Sequence, residues 1–297
     1  MNKQDQRQNR IERWFPWIVG GAALLIRFFY LWGFWTSHPF AQKLVSDARV
    51  FDDWGRRIAA GDWLGRAEVF DLPPLYAYAL GVFYTVFGYA PQGVVVVQAA
   101  FGVASAVLVY RLGQRHFGGW VGLGAGVLFA GYGPELFYEG MLLGNSGAVF
   151  LCLLGVTLLD EVVVQEKDVI WYWWGSGLVF GMVALMRPNV LSAIPFLLFG
   201  VWWIKRRDWR WRKMVKPLGL FVGCLMVPLL VCGLRNGLMA DDWVLITSHG
   251  GINFYMGNHA GAPGWFSAPE GVDAQITPDG VQGNLEGTRR VAEAAVG

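Results

Sequence analysis

The residue best placed for chemistry in this chain is Asp47, which lies in the loop after the first long apolar stretch. The same loop continues to Pro73, Pro74, Leu75 and Tyr76. A partly buried loop carboxylate can take a proton from a hydroxyl group and so act as a general base. Because the preceding stretch is long enough to cross a bilayer, this base would work at a membrane surface. We predict that Asp47 is catalytic, the alternative being a solvated acid without a role.

Two further charged residues stand in unusual positions. Glu139 follows the break Gly131-Tyr132-Gly133-Pro134, at a predicted outer helix end. A buried acid there would orient an acceptor substrate or a catalytic base. The alternative is that Glu139 only caps a helix. Arg27 lies deep in the first apolar stretch, where a charge is costly, so it should pair with an acid or reach a polar cavity. The sequence does not name its partner.

The composition is that of a membrane protein. Of 297 residues, 55% are hydrophobic and 15% charged, and the mean hydropathy is +0.38, which a soluble globule would rarely show. The apolar runs are continuous, and a helix satisfies its own backbone hydrogen bonds in lipid, so we predict an all-α integral membrane fold. Seven stretches are predicted to span the bilayer: 14–36, 92–112, 118–137, 141–160, 169–187, 189–204 and 215–234.

Basic residues set the predicted orientation. Arginines precede the first stretch, and a basic cluster occupies residues 205–216. Loops rich in Lys and Arg stay cytoplasmic, which makes 1–13 a cytoplasmic N-terminus and places 37–91 and 235–297 on the outer face. The acidic loop 160–168 is the exception. We interpret the basic cluster as a topology signal facing anionic lipid, and we expect no nucleic-acid partner.

The predicted membrane module, 14–234, has one long outer loop that carries the candidate site. Residues from Val50 to Ala59 have the pattern of an amphipathic helix on the membrane surface. A second interfacial helix is predicted from Leu75 to Phe87, because a Pro pair precedes it. The pair Gly122/Gly126 has the spacing that allows helices to pack closely.

Cysteine and histidine give no support for a metal or redox site. The three cysteines fall in predicted spans and form no CxxC pair, and the four histidines lack ligand spacing. We predict no metal, with dependence on a divalent cation left open. The residues concerned are Cys152, Cys224, Cys232, His38, His116, His249 and His259.

Several short motifs are distributed along most of the chain. They are Asp47-x3-Phe51, Gly61-Asp62-Trp63-Leu64, Pro73-Pro74-Leu75-Tyr76, Phe87-Gly88, Tyr138-Glu139-Gly140, Met186-Arg187-Pro188-Asn189, Leu234-Arg235-Asn236 and the string from Gly251 to Asn258 followed by Ala262-x-Gly264. In order and spacing they resemble the membrane-embedded GT-C glycosyltransferases. The closest resemblance is to the bacterial dolichyl-phosphate-mannose-protein mannosyltransferase-like group, glycosyltransferase family 39.

The resemblance implies a GT-C-type bundle that transfers a sugar, with inversion, from a polyprenyl-phosphate donor to an acceptor on the outer face of the cytoplasmic membrane. Direct displacement requires one base, for which Asp47 is the candidate, with Glu139 as a second catalytic residue. A phosphate leaving group needs fixed cations instead of an acid, and Arg187 and Arg235 at predicted outer span ends fit that role. Tyr76 is predicted to bind substrate. The alternative for both arginines is that the side chain only reaches from the end of a helix to the membrane interface.

Two departures from the family pattern are visible. Members are usually longer, with additional C-terminal spans, whereas this chain stops at Gly297 inside what resembles an amphipathic helix beginning near Leu285. On that basis it would be a truncated member. Related enzymes often carry Asp-Glu where this chain has Asp47-Ala48. The sugar and the acceptor, whether protein, lipid or glycan, are not readable from the sequence.

A polytopic transporter or lipid flippase is the competing hypothesis, and a structural membrane scaffold is the third. A transporter would place ionisable residues near the bilayer midplane and show broken helices in two related halves. Here only Arg27 is clearly deep, and the acids cluster in the outer loop. The pattern therefore favours the glycosyltransferase.

Overall fold

The computed structural model describes residues 11–65, 67–165, 169–207, 211–248 and Asn258, except for the side chains of Gln42, Trp211 and Arg212. All regular structure in this part of the chain is helical, which confirms the predicted all-α membrane fold. The helices are α1 (Phe15–Ser37), α2 (Pro39–Gln42), α3 (Asp47–Ala59), α4 (Leu75–Phe87), α5 (Pro91–Phe117), α6 (Gly119–Ala130), α7 (Gly133–Glu139), α8 (Asn145–Val163), α9 (Trp171–Ala184), a 3-10 helix (Pro188–Ser192), α10 (Ile194–Lys205) and α11 (Trp211–Ala240).

Five helical segments of the described chain are long and apolar enough to cross a membrane. Two of the predicted spans, the third and the fifth, correspond to shorter helices: α6 has 12 residues and α9 has 14. At about 1.5 Å per residue they extend roughly 18 and 21 Å, less than the roughly 30 Å of a hydrocarbon core. The count of seven crossings is therefore not confirmed. The five segments are Phe15–Ser37, Pro91–Phe117, Asn145–Val163, Pro188–Lys205 and Lys213–Ala240.

The chain divides into two compact units, one of residues 1–63 and 75–229, the other of residues 64–74 and 230–297. In the first unit α1, α5 and α6 pack against one another around a core of buried side chains. Small residues on α5 and α6 allow this core to close, because a helix pair without bulky side chains approaches closely. The core consists of Phe15, Val19, Ala23, Ala106, Tyr110 and Ala130.

The predicted close packing at Gly122 and Gly126 is confirmed. A Cβ atom on Gly122 would lie 2.6 Å from the carbonyl oxygen of Tyr110 and 2.6 Å from the amide nitrogen of Gln114. A Cβ atom on Gly126 would lie 2.9 Å from a methyl carbon of Val19. The α6 backbone thus lies directly against α5, and the contact at Gly122 is with backbone that cannot rotate away.

We expect Gly122→Ala to lower the stability of the first unit by about 1–3 kcal/mol, because the added methyl group forces α5 and α6 apart. The matched control is Gly124→Ala in the same helix, where nothing lies within 4 Å of the new Cβ. That control should leave the thermal midpoint in detergent unchanged or raise it, since alanine favours helix. Equal midpoints for both variants would contradict the close α5–α6 contact.

Two helices of the predicted outer loop, an amphipathic α3 and an apolar α4, form as predicted and pack together. One acid joins them: Asp52 is fully buried and accepts hydrogen bonds from the hydroxyl groups of Tyr84, at 2.7 Å, and Tyr89, at 3.1 Å. Arg56 completes the group with an ion pair of 2.8 Å. Asp52 therefore holds α3 and α4 together.

Acidic residues at the end of α8 meet basic residues at the end of α5. Arg115 forms ion pairs with Asp160, at 2.9 Å, and with Glu161, and the Nε2 atom of His116 lies 2.8 Å from Asp160. These acids begin the loop that was the exception to the predicted charge asymmetry. Because Arg115 pairs with both acids, the acidic loop carries less uncompensated charge than its sequence suggests.

Candidate active site

Three segments of the first unit meet where α4 begins, α8 begins and α9 ends. The amide of Leu75 donates to the carbonyl of Leu185 at 3.2 Å, which ties the start of α4 to the chain after α9. A Cβ atom on Gly144, directly before α8, would lie 3.1 Å from the Cβ atom of Tyr76. The structure therefore gathers these segments around the first turn of α8.

Arg187 lies at this junction, directly after α9, with an exposed side chain. Its Nη2 group donates to the side-chain oxygen of Asn145, the first residue of α8. Within the described residues its guanidinium makes no other hydrogen bond. The hydrogen bond to Asn145 holds the positive charge of Arg187 beside the N-terminus of α8. The substrate-binding role of Arg187 stays a prediction.

Tyr76 also lies at the junction, but it is buried. Its hydroxyl donates to the side-chain oxygen of Gln98 at 2.5 Å. The Gln98 amide nitrogen in turn donates to the carbonyls of Glu139, at 2.8 Å, and Met141, at 2.7 Å. Tyr76 thus holds the loop before α8 through Gln98, while its predicted contact with substrate stays a prediction.

Sequence reasoning missed Gln98, which is almost fully buried in the apolar helix α5. A signal was present, since a lone amide side chain in a membrane-spanning segment commonly hydrogen-bonds to neighbouring helices. Its position among apolar residues was the only indication, and its partners are set by packing.

Asp47 is the first residue of α3 and is exposed, whereas partial burial was expected. The preceding residue, Ser46, has a φ of 50°, an uncommon conformation for a residue other than glycine. Phe51, one helical turn after Asp47, packs edge-on against Tyr76 with ring centroids 5.2 Å apart. This contact joins the first half of α3 to the start of α4. The catalytic role of Asp47 stays a prediction.

Glu139 forms a buried ion pair with Arg27, at 2.7 Å, and each side chain is only 1% exposed. Arg27 also donates to the carbonyls of Ala23 and Ala130, at 3.3 Å each. Burial raises the pKa of the Glu139 carboxyl above its usual range, and Arg27 opposes that shift. The predicted acidic partner of Arg27 is therefore Glu139. A catalytic role of Glu139 stays a prediction beside this structural contact.

Arg235 belongs to the second unit, where it binds the loop at residues 64–68. Its Nε and Nη2 groups donate to the carbonyl of Leu64 at 2.8 and 2.5 Å, and Nη1 donates to the carbonyl of Glu68 at 2.5 Å. The guanidinium lies 4.0 Å from the ring centre of Phe70. Most of its donors are occupied by backbone oxygens, which favours a positioning role. Phosphate binding by Arg235 stays a prediction.

Asn236, next to Arg235, completes this arrangement. It is fully buried, accepts from the amide of Phe70 at 3.3 Å, and donates to the carbonyls of Val244, at 2.8 Å, and Ile246, at 3.2 Å. Arg235 and Asn236 of this motif therefore bind the backbone of the second unit at Leu64, Glu68, Phe70, Val244 and Ile246.

We expect Arg235→Lys to loosen the 64–68 loop, because a lysine ammonium cannot span two carbonyl groups as a guanidinium does. Limited proteolysis should cut this loop faster in the variant, while the apparent KM for the donor changes less than twofold. Asp241→Asn, at an exposed position in the same unit, is the control. A large rise in KM with unchanged proteolysis would instead support phosphate binding by Arg235.

No group of three or more His, Cys, Asp or Glu side chains that could hold a metal ion occurs in the described part of the chain. His249, His259 and the motif from Gly251 onward lie outside the described residues, apart from Asn258. The amphipathic helix predicted near Leu285 lies outside them as well. Dependence on a divalent cation is untested.

Comparison with known proteins identifies one family. Neither a curated protein nor a solved structure matches the chain. Residues 71–231, more than half of the chain, match the model of the family described as dolichyl-phosphate-mannose-protein mannosyltransferase. The match includes Tyr76, Glu139 and Arg187, and it excludes Asp47 and Arg235. Because the match covers more than half of the chain, the chain belongs to the dolichyl-phosphate-mannose-protein mannosyltransferase family. Together with its apolar helices, this makes it a membrane glycosyltransferase.

Proposed function

We propose that this protein transfers a sugar from a polyprenyl-phosphate donor to an acceptor on the outer face of the cytoplasmic membrane, with inversion at the anomeric carbon. The observation that carries the proposal is the junction at the start of α8. Arg187 donates to Asn145 there, and Tyr76 packs against Gly144. A cation at the membrane surface next to a helix N-terminus suits a phosphorylated lipid.

In this proposal the oxygen of the acceptor hydroxyl attacks the anomeric carbon, and Asp47 takes the proton of that hydroxyl. The bond between that carbon and the phosphate oxygen breaks, and its electron pair leaves with the polyprenyl phosphate. The phosphate is a weak base, so no protein acid is required, but its charge must be stabilised. Arg187 supplies that charge. Asp47 is exposed, so it is accessible to an acceptor.

Charge distribution supports an outer-face site. The junction precedes α10, and the cluster of basic residues predicted to be cytoplasmic follows α10. One candidate membrane-spanning segment, Pro188–Lys205, thus separates Arg187 from the basic cluster. Since loops rich in Lys and Arg stay in the cytoplasm, the opposite end of that segment faces outward.

The test is release of polyprenyl phosphate from polyprenyl-phosphate mannose by the full chain in native membranes. We expect release that depends on the protein and is accompanied by a mannosylated product, and we expect Arg187→Gln to slow it about 10- to 100-fold. Membranes without the protein are the control. Movement of intact donor across the bilayer without bond cleavage would overturn the proposal in favour of a lipid flippase.

A further inference from the structure

The first turn of α8 has the properties of an anion site. We define the α8 amino-terminal turn as residues 144–147, Gly144-Asn145-Ser146-Gly147. It opens a helix of 19 residues, it holds no acidic residue, and no side chain of the described chain caps it. The first amide groups of a helix lack partners within the helix, and they carry a partial positive charge. This end of α8 therefore has donors to offer an anion.

A second observation is independent of the helix end. The side chain of Ser146 is fully buried, and its hydroxyl has no hydrogen-bond partner in the described part of the chain. In a helix the Cα–Cβ bond tilts toward the N-terminus, so the Cβ atom of Ser146, which carries this hydroxyl, leans toward the amino-terminal end of α8. A buried hydroxyl without a partner is costly unless a ligand or water satisfies it.

Two glycines bring the surroundings close to this turn. Gly144 lies against Tyr76, and a Cβ atom on Gly147 would lie 3.4 Å from the terminal methyl carbon of Met186. Arg187, the next residue, donates to Asn145. The helix end, an unsatisfied hydroxyl and an exposed guanidinium thus share one site.

We propose that the α8 amino-terminal turn, together with Arg187, binds the phosphate group of the lipid donor. The backbone amides and the Ser146 hydroxyl donate hydrogen bonds to phosphate oxygens, and Arg187 supplies the positive charge. This inference rests on the proposed function, because it assigns the donor phosphate to a place in that site. Backbone donors at a helix end bind phosphate in many unrelated proteins.

The experiment measures binding of polyprenyl phosphate to the full chain in lipid nanodiscs, with polyprenol of the same length as the uncharged reference. The decisive variant is Asn145→Asp, which adds a negative charge at the site. Acids are favourable in the first turn of a helix, so this variant should fold normally, as its thermal midpoint will show. We expect it to weaken polyprenyl phosphate binding at least tenfold and to leave polyprenol binding unchanged.

The matched control is Gln92→Glu, which adds the same charge at an exposed position in the first turn of α5. It should change binding less than twofold. Ser146→Ala removes the buried hydroxyl and should weaken phosphate binding about three- to tenfold, while a merely structural hydroxyl would leave binding unchanged.

Unchanged binding in Asn145→Asp would overturn the inference, and release of polyprenyl phosphate by the wild type would still support the proposed function. Equal wild-type affinity for polyprenyl phosphate and polyprenol would also overturn it. Inorganic phosphate is the last probe. If it binds at the turn while the lipid phosphate has no advantage over polyprenol, the turn is a site for small anions, and the assignment to the donor is wrong.

Discussion

Asp47→Asn should reduce sugar transfer by about 10²- to 10⁴-fold while the donor still binds, because asparagine keeps the shape of the side chain but cannot accept a proton. Asp47 is exposed and begins α3, a position that asparagine also tolerates, so folding should be unaffected. The measurement is the rate of polyprenyl phosphate release under saturating donor, with donor affinity determined separately. A loss confined to the rate would assign Asp47 to the chemical step.

The control for this experiment is Asp53→Asn in the same helix. Asp53 is exposed and forms surface ion pairs with Arg49, at 3.9 Å, and Arg56, at 2.7 Å. Such pairs contribute little to stability, so turnover should stay within about twofold of the wild type. Equal turnover of wild type and Asp47→Asn would remove Asp47 from the mechanism.

Removing one member of the Arg27–Glu139 ion pair should destabilise the first unit by about 3–5 kcal/mol, because the remaining charge stays buried without a counter-ion. The variants are Arg27→Met and Glu139→Leu, and unfolding in detergent is the measurement. The double variant, which removes both charges, should be clearly more stable than either single variant. Additive losses would show that the two side chains do not depend on each other.

A substitution at Gly102 offers a second test of the Arg27–Glu139 ion pair. A Cβ atom there would collide with the carboxylate of Glu139 and the guanidinium of Arg27, so Gly102→Ala should displace the pair and lower the thermal midpoint. Gly33→Ala in α1, where nothing lies within 4 Å of the new Cβ, is the matched control. If the double variant Arg27→Met/Glu139→Leu folds and still transfers sugar, Glu139 is excluded from catalysis.

Helices α3 and α4 show how much the sequence predicts. The Pro73-Pro74 pair predicts a helix from Leu75, and α4 begins there. The apolar pattern after Asp47 predicts an amphipathic helix, and α3 has it. These predictions succeed because proline geometry and apolar spacing act between residues that are close in the chain. Span lengths are less well predicted, since α6 and α9 end earlier than their apolar stretches.

The candidate site shows where sequence reasoning ends. It selects Tyr76, Arg187 and Glu139, but it does not show that Tyr76 and Arg187 meet at one helix end. Nor does it show that Glu139 faces Arg27 instead of the membrane surface. The hydrogen bond of Gln98 to Tyr76 and the donors of Arg235 to residues 64–68 were equally unpredictable, because these partners are far apart in the chain.

The amino-acid sequence is enough to predict a helical membrane protein, the starts of its interfacial helices and the family that it resembles, because apolar runs, prolines and short motifs are local properties. Only the folded chain shows which polar groups meet: Arg27 pairs with Glu139, and Arg187 pairs with Asn145 at the start of α8. Buried polar groups must find partners wherever packing brings them. That packing is set by side-chain contacts between helices distant in sequence, such as Gly144 against Tyr76.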